Sequence, residues 1–130
     1  MITFSYTILY VNDVENSITF YEKAFEFKRK FVSPDGTYGE LITGHTTLSF
    51  ASHNLAKGNL KDGYQESNSD TKPFGFEIGF ATADVEGVLK TAVEAGGTLA
   101  AKPKTKPWGQ VVAYVRDLDG FLIEICTPIN

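Results

Sequence analysis

Asp13-Val14-Glu15 recurs as Asp84-Val85-Glu86, 71 residues on, and Tyr38-Gly39 recurs as Trp108-Gly109, 70 residues on. Two separate anchors with nearly one offset point to an internal repeat. Two copies are too few for a solenoid, so the reading is a duplicated half-domain whose halves close against each other, with any ligand held between them.

Working outward from the first anchor, residues 3–11 alternate: Tyr6, Ile8 and Tyr10 fall on one face, and Thr7, Leu9 and Val11 on the other. That period of two is a strand. Asn12 or Asp13 then caps a helix whose Val14, Ile18, Tyr21 and Phe25 form one apolar stripe. Phe27 to Ser33 and Thr37 to Thr43 read as strands around the turn Pro34-Asp35-Gly36, and Thr46 to Ser52 as a fourth. From the second anchor the order repeats. Strand Phe76 to Thr82 precedes a helix capped by Asp84, with Val85, Val88, Leu89 and Ala92 inward and Gly96-Gly97 as its stop. Thr98 to Ala101 begins a short strand, and the Lys102 to Pro107 stretch is too rich in proline for a central one. Trp108 to Arg116, the turn Asp117-Leu118-Asp119-Gly120 and Phe121 to Thr127 complete the half.

The predicted fold class is therefore α+β, two tandem β-α-β-β-β modules forming a curved mixed sheet with a cleft. One domain is expected, made of module 1–53, a linker or lid 54–73 and module 74–130. The middle segment, rich in Gly, Asn, Ser, Asp and Lys, is long for a plain connection.

Composition bounds the function. With 42% hydrophobic residues, 10 Phe, 6 Tyr and 1 Trp, the 130-residue chain can bury a core without staples. A net charge of −4 offers no basic stripe for phosphates, so nucleic acid is not an expected partner. The single Cys126 and an N-terminal stretch without a signal pattern point to a cytoplasmic location. No apolar run has the length of a membrane span.

Strand parity also sorts the sheet faces. The aliphatic face carries Leu9, Val11, Leu48, Phe50, Ile78, Phe80, Ile123 and Ile125 and should meet the helices. The opposite face carries Tyr6, Tyr10, Ser49, Glu77, Glu124 and Cys126, joined by His53 if the fourth strand runs on straight, and by Trp108, Gln110 and Tyr114 from the seventh. A concave aromatic wall with a few polar groups suits a small molecule. Glu77, between Phe76 and Ile78, and Glu124, between Ile123 and Ile125, stand out because carboxylates are rarely buried unpaired. Two readings are open: both point into the cleft to hold a cation, a cationic ligand or a shared proton, or both are solvated residues on an exposed sheet face or salt-bridged to Arg116 or a lysine.

The order Leu9-Tyr10-Val11-Asn12-Asp13-Val14, Ser17, Phe20, Tyr21, then Ala95-Gly96-Gly97, Trp108-Gly109-Gln110 and Arg116 through Ile125 resembles the vicinal oxygen chelate superfamily of glyoxalases, extradiol dioxygenases and bleomycin-resistance proteins. The resemblance implies paired modules around a sheet cleft, often completed by a homodimer. It implies ligand positions on the first, fourth, fifth and eighth strands, where this chain has Tyr6, Ser49, Glu77 and Glu124. Metalloenzyme members commonly have His or Glu there, and here neither His45 nor His53 is equivalent. The leading expectation is a metal-free binder of a small cationic or aromatic molecule, with Tyr6, Tyr10, Ser49, Glu77, Trp108, Glu124 and His53 as ligand contacts and no cofactor. The alternative is a glyoxalase-like lyase or isomerase in which Glu77 and Glu124 hold Mg or Mn and act as catalytic carboxylates.

Overall fold

Asp13 and Asp84 each cap a helix. In the computed structural model, which describes residues 1–129, Asp13 accepts from the Asn16 amide at 2.9 Å and opens α1 (Val14–Phe25). Asp84 accepts from the Gly87 amide at 3.0 Å and opens α3 (Val85–Glu94). Each side chain satisfies a donor that the first turn leaves without a partner.

The strands are β1 (Tyr6–Val11), β2 (Lys28–Val32), β3 (Tyr38–Ile42), β4 (Thr47–Ser52), β5 (Ile78–Ala81), β6 (Thr98–Thr105), β7 (Val111–Arg116) and β8 (Leu122–Cys126). They form two mixed four-stranded sheets of matching order, β1-β4-β3-β2 and β5-β8-β7-β6. In each, the first strand runs parallel to the last and the remaining pairs are antiparallel. The expected pair of β-α-β-β-β modules is present. By contact the chain falls into two compact units: Met1–Glu22 with Glu26–Glu66, and Lys23–Phe25 with the chain from Ser67 onward.

In the first unit Val14, Ile18 and Tyr21 of α1 are buried with Leu9, Val11, Leu41 and Phe50, and the Tyr21 ring packs 5.1 Å from that of Phe50. In the second, Val85, Leu89 and Ala92 of α3 are buried with Ala113, Val115, Ile123 and Ile125, and the Phe25 ring packs 4.9 Å from Phe80. Each large apolar side chain so buried contributes about 1.5–3 kcal/mol. Among the described residues no helix is long and apolar enough to cross a membrane.

Strand register corrects one anchor of the repeat. Ser49 lies opposite Ile8 and Glu40, while Glu124 lies opposite Gly79 and Tyr114. The equivalent pairs are therefore Ile8 with Gly79, Ser49 with Glu124, and Glu40 with Tyr114. Tyr38-Gly39 and Trp108-Gly109 are not equivalent. Gly39 is in a strand, where an added Cβ would stand 2.5 Å from Ile18 Cδ1, whereas Gly109 closes a turn at φ 92° with open space beside it.

Two further elements differ from the sequence reading. Residues His53–Asn59 form a short helix, α2, capped by Ser52, whose hydroxyl accepts from the Leu55 amide at 3.2 Å. β6 runs on through Pro103 to Thr105, which an outermost strand permits because proline there need not donate to a neighbour.

Candidate functional site

The residues singled out by parity fall into four local settings, two in each unit. The first belongs to β7, β8 and the entry to β5. Tyr114 and Glu124 are directly opposed, and the Tyr114 hydroxyl donates to Glu124 Oε1 at 3.1 Å. Glu77, an exposed residue just ahead of β5 rather than within it, acts electrostatically on the same hydroxyl. Burial, followed by these two carboxylates, pushes the Tyr114 phenol above its ordinary ionisation range. Gly79, opposite Glu124, leaves its carboxylate uncrowded: an added Cβ would only touch Oε2 at 3.5 Å. Cys126 lies two residues beyond, and burial, then Glu124, raises its thiol against a lowering contribution from the Gln110 amide.

Donors are scarce in this setting. A phenol has one proton, two ionised carboxylates have four acceptor oxygens, and among the described residues no lysine or arginine pairs with Glu77 or Glu124. Arg116, the salt-bridge partner weighed from the sequence, instead donates to the carbonyls of Gly120 at 2.9 Å and Asn68 at 3.0 Å.

The first sheet holds the equivalent setting with the opposite balance. Tyr38 donates to Glu40 Oε2 at 2.7 Å, and Lys30 Nζ stands 3.5 Å from Glu40 Oε1, so this carboxylate already has a cation. Ser49 is 0% exposed, with its hydroxyl beside the Tyr38 phenol. Burial raises that phenol, Ser49 lowers it, and Glu40 raises it further, with a smaller contribution from Tyr6. Tyr6 and Ser49 are thus in one setting, and Glu77 and Glu124 in another.

Tyr10 and His53 are brought together by Tyr64. Its ring lies 4.8 Å from that of Tyr10 and stacks at 5.8 Å on the His53 imidazole, and its hydroxyl is 2.7 Å from His53 Nδ1. The fourth strand does not run on to His53. Ser52 turns the chain into α2, which takes the imidazole off the strand face.

Trp108 also leaves the face assigned to it. The strand starts only at Val111, and the hydrogen bond from the Gly109 amide to the Lys106 carbonyl at 2.8 Å makes residues 106–109 a turn. Its indole, in a residue 66% exposed, donates to Gln110 Oε1 at 2.9 Å, and Gln110 Nε2 donates to the Thr127 carbonyl at 3.0 Å. Trp108, Gln110, Thr127, Pro128 and Ile129 border a pocket of about 540 Å³.

Three tyrosines not among the expected contacts, Tyr38, Tyr64 and Tyr114, organise these settings. Only Tyr114 had a sequence signal, its shared parity with Gln110 on the seventh strand. As for a metal, two carboxylates and a phenol lack the imidazole or thiolate that zinc, nickel and iron sites favour. Among the described residues no three His, Cys, Asp or Glu side chains are grouped to hold an ion.

The family model of the Glyoxalase/Bleomycin resistance protein/Dioxygenase superfamily matches residues 3–125. Among solved structures the chain is similar to a glyoxalase-related enzyme from Fulvimarina pelagi, at 20% identity and a TM-score of 0.83, covering 100% of this chain and 94% of that one. It is similar to a hypothetical protein from S. aureus at 26% identity and a TM-score of 0.80, covering 98% and 95%. It is also similar to a glyoxalase/bleomycin resistance protein/dioxygenase family enzyme from Burkholderia phytofirmans PsJN at 21% identity and a TM-score of 0.81, covering 98% and 100%. No curated protein matches the chain.

Proposed function

The chain belongs to the Glyoxalase/Bleomycin resistance protein/Dioxygenase superfamily, and from that premise we propose that it binds a small cationic or aromatic molecule at Glu77, Tyr114 and Glu124, without a transition metal. The observation that carries this reading is the contrast between the two sheets. Glu40 has both a phenol and Lys30, whereas Glu124 has the Tyr114 phenol alone and, among the described residues, neither it nor Glu77 pairs with a cation. Glu124 is half-buried and Glu77 is exposed at its side, and a carboxylate pair without a cation attracts one from solution. Trp108, held by its hydrogen bond to Gln110, offers a planar surface for an aromatic portion. On this reading the protein is cytoplasmic and acts as a homodimer. Support for self-association comes from the exposed apolar side chains of Ile2, Phe4 and Phe31, which a partner surface would cover.

Thermal unfolding with benzamidine, a planar cation, and with neutral benzamide tests the reading. Benzamidine at a hundred times its dissociation constant adds about 2.7 kcal/mol of stability to the wild-type protein. The stabilisation is expected to shrink in Glu124→Gln and to be absent with benzamide. Equal effects of both compounds, or of benzamidine on both proteins, overturn it.

The second reading, a divalent-metal-dependent lyase or isomerase, draws on Glu77 and Glu124 both acting on the Tyr114 hydroxyl, since two carboxylates with water can hold a hard ion. Stabilisation of the wild-type protein by Mg or Mn, lost in Glu124→Gln, would favour it over the first.

A further inference from the structure

Among the described residues two glycines lie within strands, Gly39 and Gly79. Glycine gives up packing and backbone order in a strand, so it marks a bulge, a special backbone angle or a close approach. At Gly39 the approach is that of Ile18 Cδ1, 2.5 Å from where a Cβ would stand. At Gly79 the chain supplies none of the three. Its φ is one that any residue adopts, and β5 pairs with β8 without a shift from Ile78–Ile123 to Ala81–Cys126. Beyond its chain neighbours, an added Cβ would meet only Glu124 Oε2 within 4 Å, at an ordinary 3.5 Å. By register, Gly79 and Ala81 stand where the first sheet has Ile8 and Tyr10. Ile8 and Tyr10 are half-buried, and the Tyr64 ring covers Tyr10 at 4.8 Å, whereas Gly79 and Ala81 are both exposed. This face of β5 is therefore bare backbone apart from the Ala81 methyl, and Glu124 stands directly beside it.

We propose that the bare face of β5 at Gly79 and Ala81 is the floor of the ligand site, and that the ligand carries a planar, delocalised cation of the amidinium or guanidinium kind. This choice of ligand rests on the cation site proposed at Glu124. The cation lies flat on the β5 backbone and donates an N–H to Glu124 Oε2. Oε1 already accepts the Tyr114 proton at 3.1 Å, and Oε2 is the oxygen on the Gly79 side. A charge-assisted N–H···O bond is about 2.7–2.9 Å long, so a nitrogen fits where a methyl carbon would only touch. A side chain at residue 79 would take that place, which is the reason for glycine there. Planarity follows from the floor. A delocalised, weakly hydrated cation can be laid against a flat surface, whereas a compact, strongly hydrated ammonium needs only a point of approach to the carboxylate from the solvent side. In the first sheet Ile8 and Tyr10 fill the corresponding floor, and Lys30 already attends the Glu40 carboxylate at 3.5 Å.

Calorimetric titration of benzamidine and benzylamine, a planar and a tetrahedral cation on the same ring, into wild-type protein and Gly79→Ala tests this. In Gly79→Ala the benzamidine affinity is expected to fall about tenfold, the effect of losing one charge-assisted hydrogen bond, and the benzylamine affinity by no more than about twofold. Urea unfolding should find Gly79→Ala no less stable than the wild-type protein, because a strand glycine with open space beside it gains from a methyl. Equal benzamidine affinity in the two proteins, or equal losses for the two compounds, overturns the proposal and leaves the cation site at Glu124 standing. Absence of saturable benzamidine binding to the wild-type protein overturns both. Loss of self-association in Gly79→Ala by sedimentation, with benzamidine binding intact, assigns this face of β5 to a second copy of the chain and also overturns the proposal. Should Gly79→Ala fail to fold, Ala81→Val on the same face gives the same comparison, with the same selective loss of benzamidine expected.

Discussion

Replacing Gly120 by alanine should be among the most damaging single-methyl changes in this protein. Gly120 stands at φ 86° in the turn between β7 and β8, and an added Cβ would lie 2.4 Å from the Asn68 carbonyl oxygen and 2.7 Å from an Arg116 guanidinium nitrogen. The left-handed backbone alone costs an alanine about 1–2 kcal/mol. The clash is with backbone, so the Asn68 segment must move. Movement breaks the bond from Arg116 to the Asn68 carbonyl, 3.0 Å, and strains that from the buried Ser67 hydroxyl to the Asp119 carbonyl, 2.8 Å. A hydrogen bond from a charged donor contributes about 1.5–3 kcal/mol and a neutral one about 0.5–1.5 kcal/mol. Allowing for partial relaxation, the expected loss is about 3–5 kcal/mol, or roughly 10–18 °C in melting temperature for a chain of this size. Gly109→Ala is the internal control. It has nearly the same φ, 92°, but nothing within 4 Å of the added methyl, so it should lose only the backbone cost of about 1–2 kcal/mol. Urea unfolding of the two variants measures the difference. If Gly120→Ala is no less stable than Gly109→Ala, the packing of Ser67 and Asn68 against this turn does not anchor the middle of the chain, and the argument fails.

Other consequences are as definite. The Tyr114 phenol is raised in the folded protein, so its contribution to stability is complete below the phenol's unfolded pKa, about 10, and is lost as pH rises through the higher folded value. Wild-type stability should therefore fall more steeply above pH 10 than that of Tyr114→Phe in parallel denaturation curves, and identical slopes would refute the assignment. Asp84→Ala removes the cap on α3 and should cost about 1 kcal/mol by chemical denaturation, with Asp84→Asn retaining most of it. A cost near zero would mean that the Gly87 amide finds an equivalent partner. Phe50→Ala, at a site 0% exposed beside Tyr21, should cost about 3–5 kcal/mol, and a loss below 1 kcal/mol would contradict its place in the core.

The halves of this fold were legible because their signals are local. The two aspartate caps and the apolar stripes behind them depend on residues within a turn or two, and both helices open where the caps require. The Trp108-Gly109 anchor misled because residue type is shared where conformation is not. Gly39 is glycine to admit Ile18, and Gly109 is glycine to allow a positive φ. Helix α2 escaped notice because seven residues with one buried side chain, Ala56, are too few for a 3.6-residue period to register. At the candidate site, parity assigned Glu77 and Glu124 to one face, and in the structure Glu124 bonds Tyr114 while Glu77 stands exposed just ahead of β5. Parity did not reveal the bond between Glu124 and Tyr114, since that depends on the register of β7 against β8, which the turn at Gly120 sets. His53 and Trp108 were assigned by extending strands past their ends, and in both cases a turn or cap within two residues redirected the side chain.

The most direct test of the central claim is an NMR titration of protein carrying ring-labelled tyrosines with benzamidine. Tyr114, between the two uncompensated carboxylates, should shift saturably in the wild-type protein and not in the Glu77→Gln, Glu124→Gln double variant, while Tyr38, whose carboxylate partner already has Lys30, stays in place. Saturable shifts at Tyr38 with none at Tyr114, or no saturable shift at either, would contradict the account.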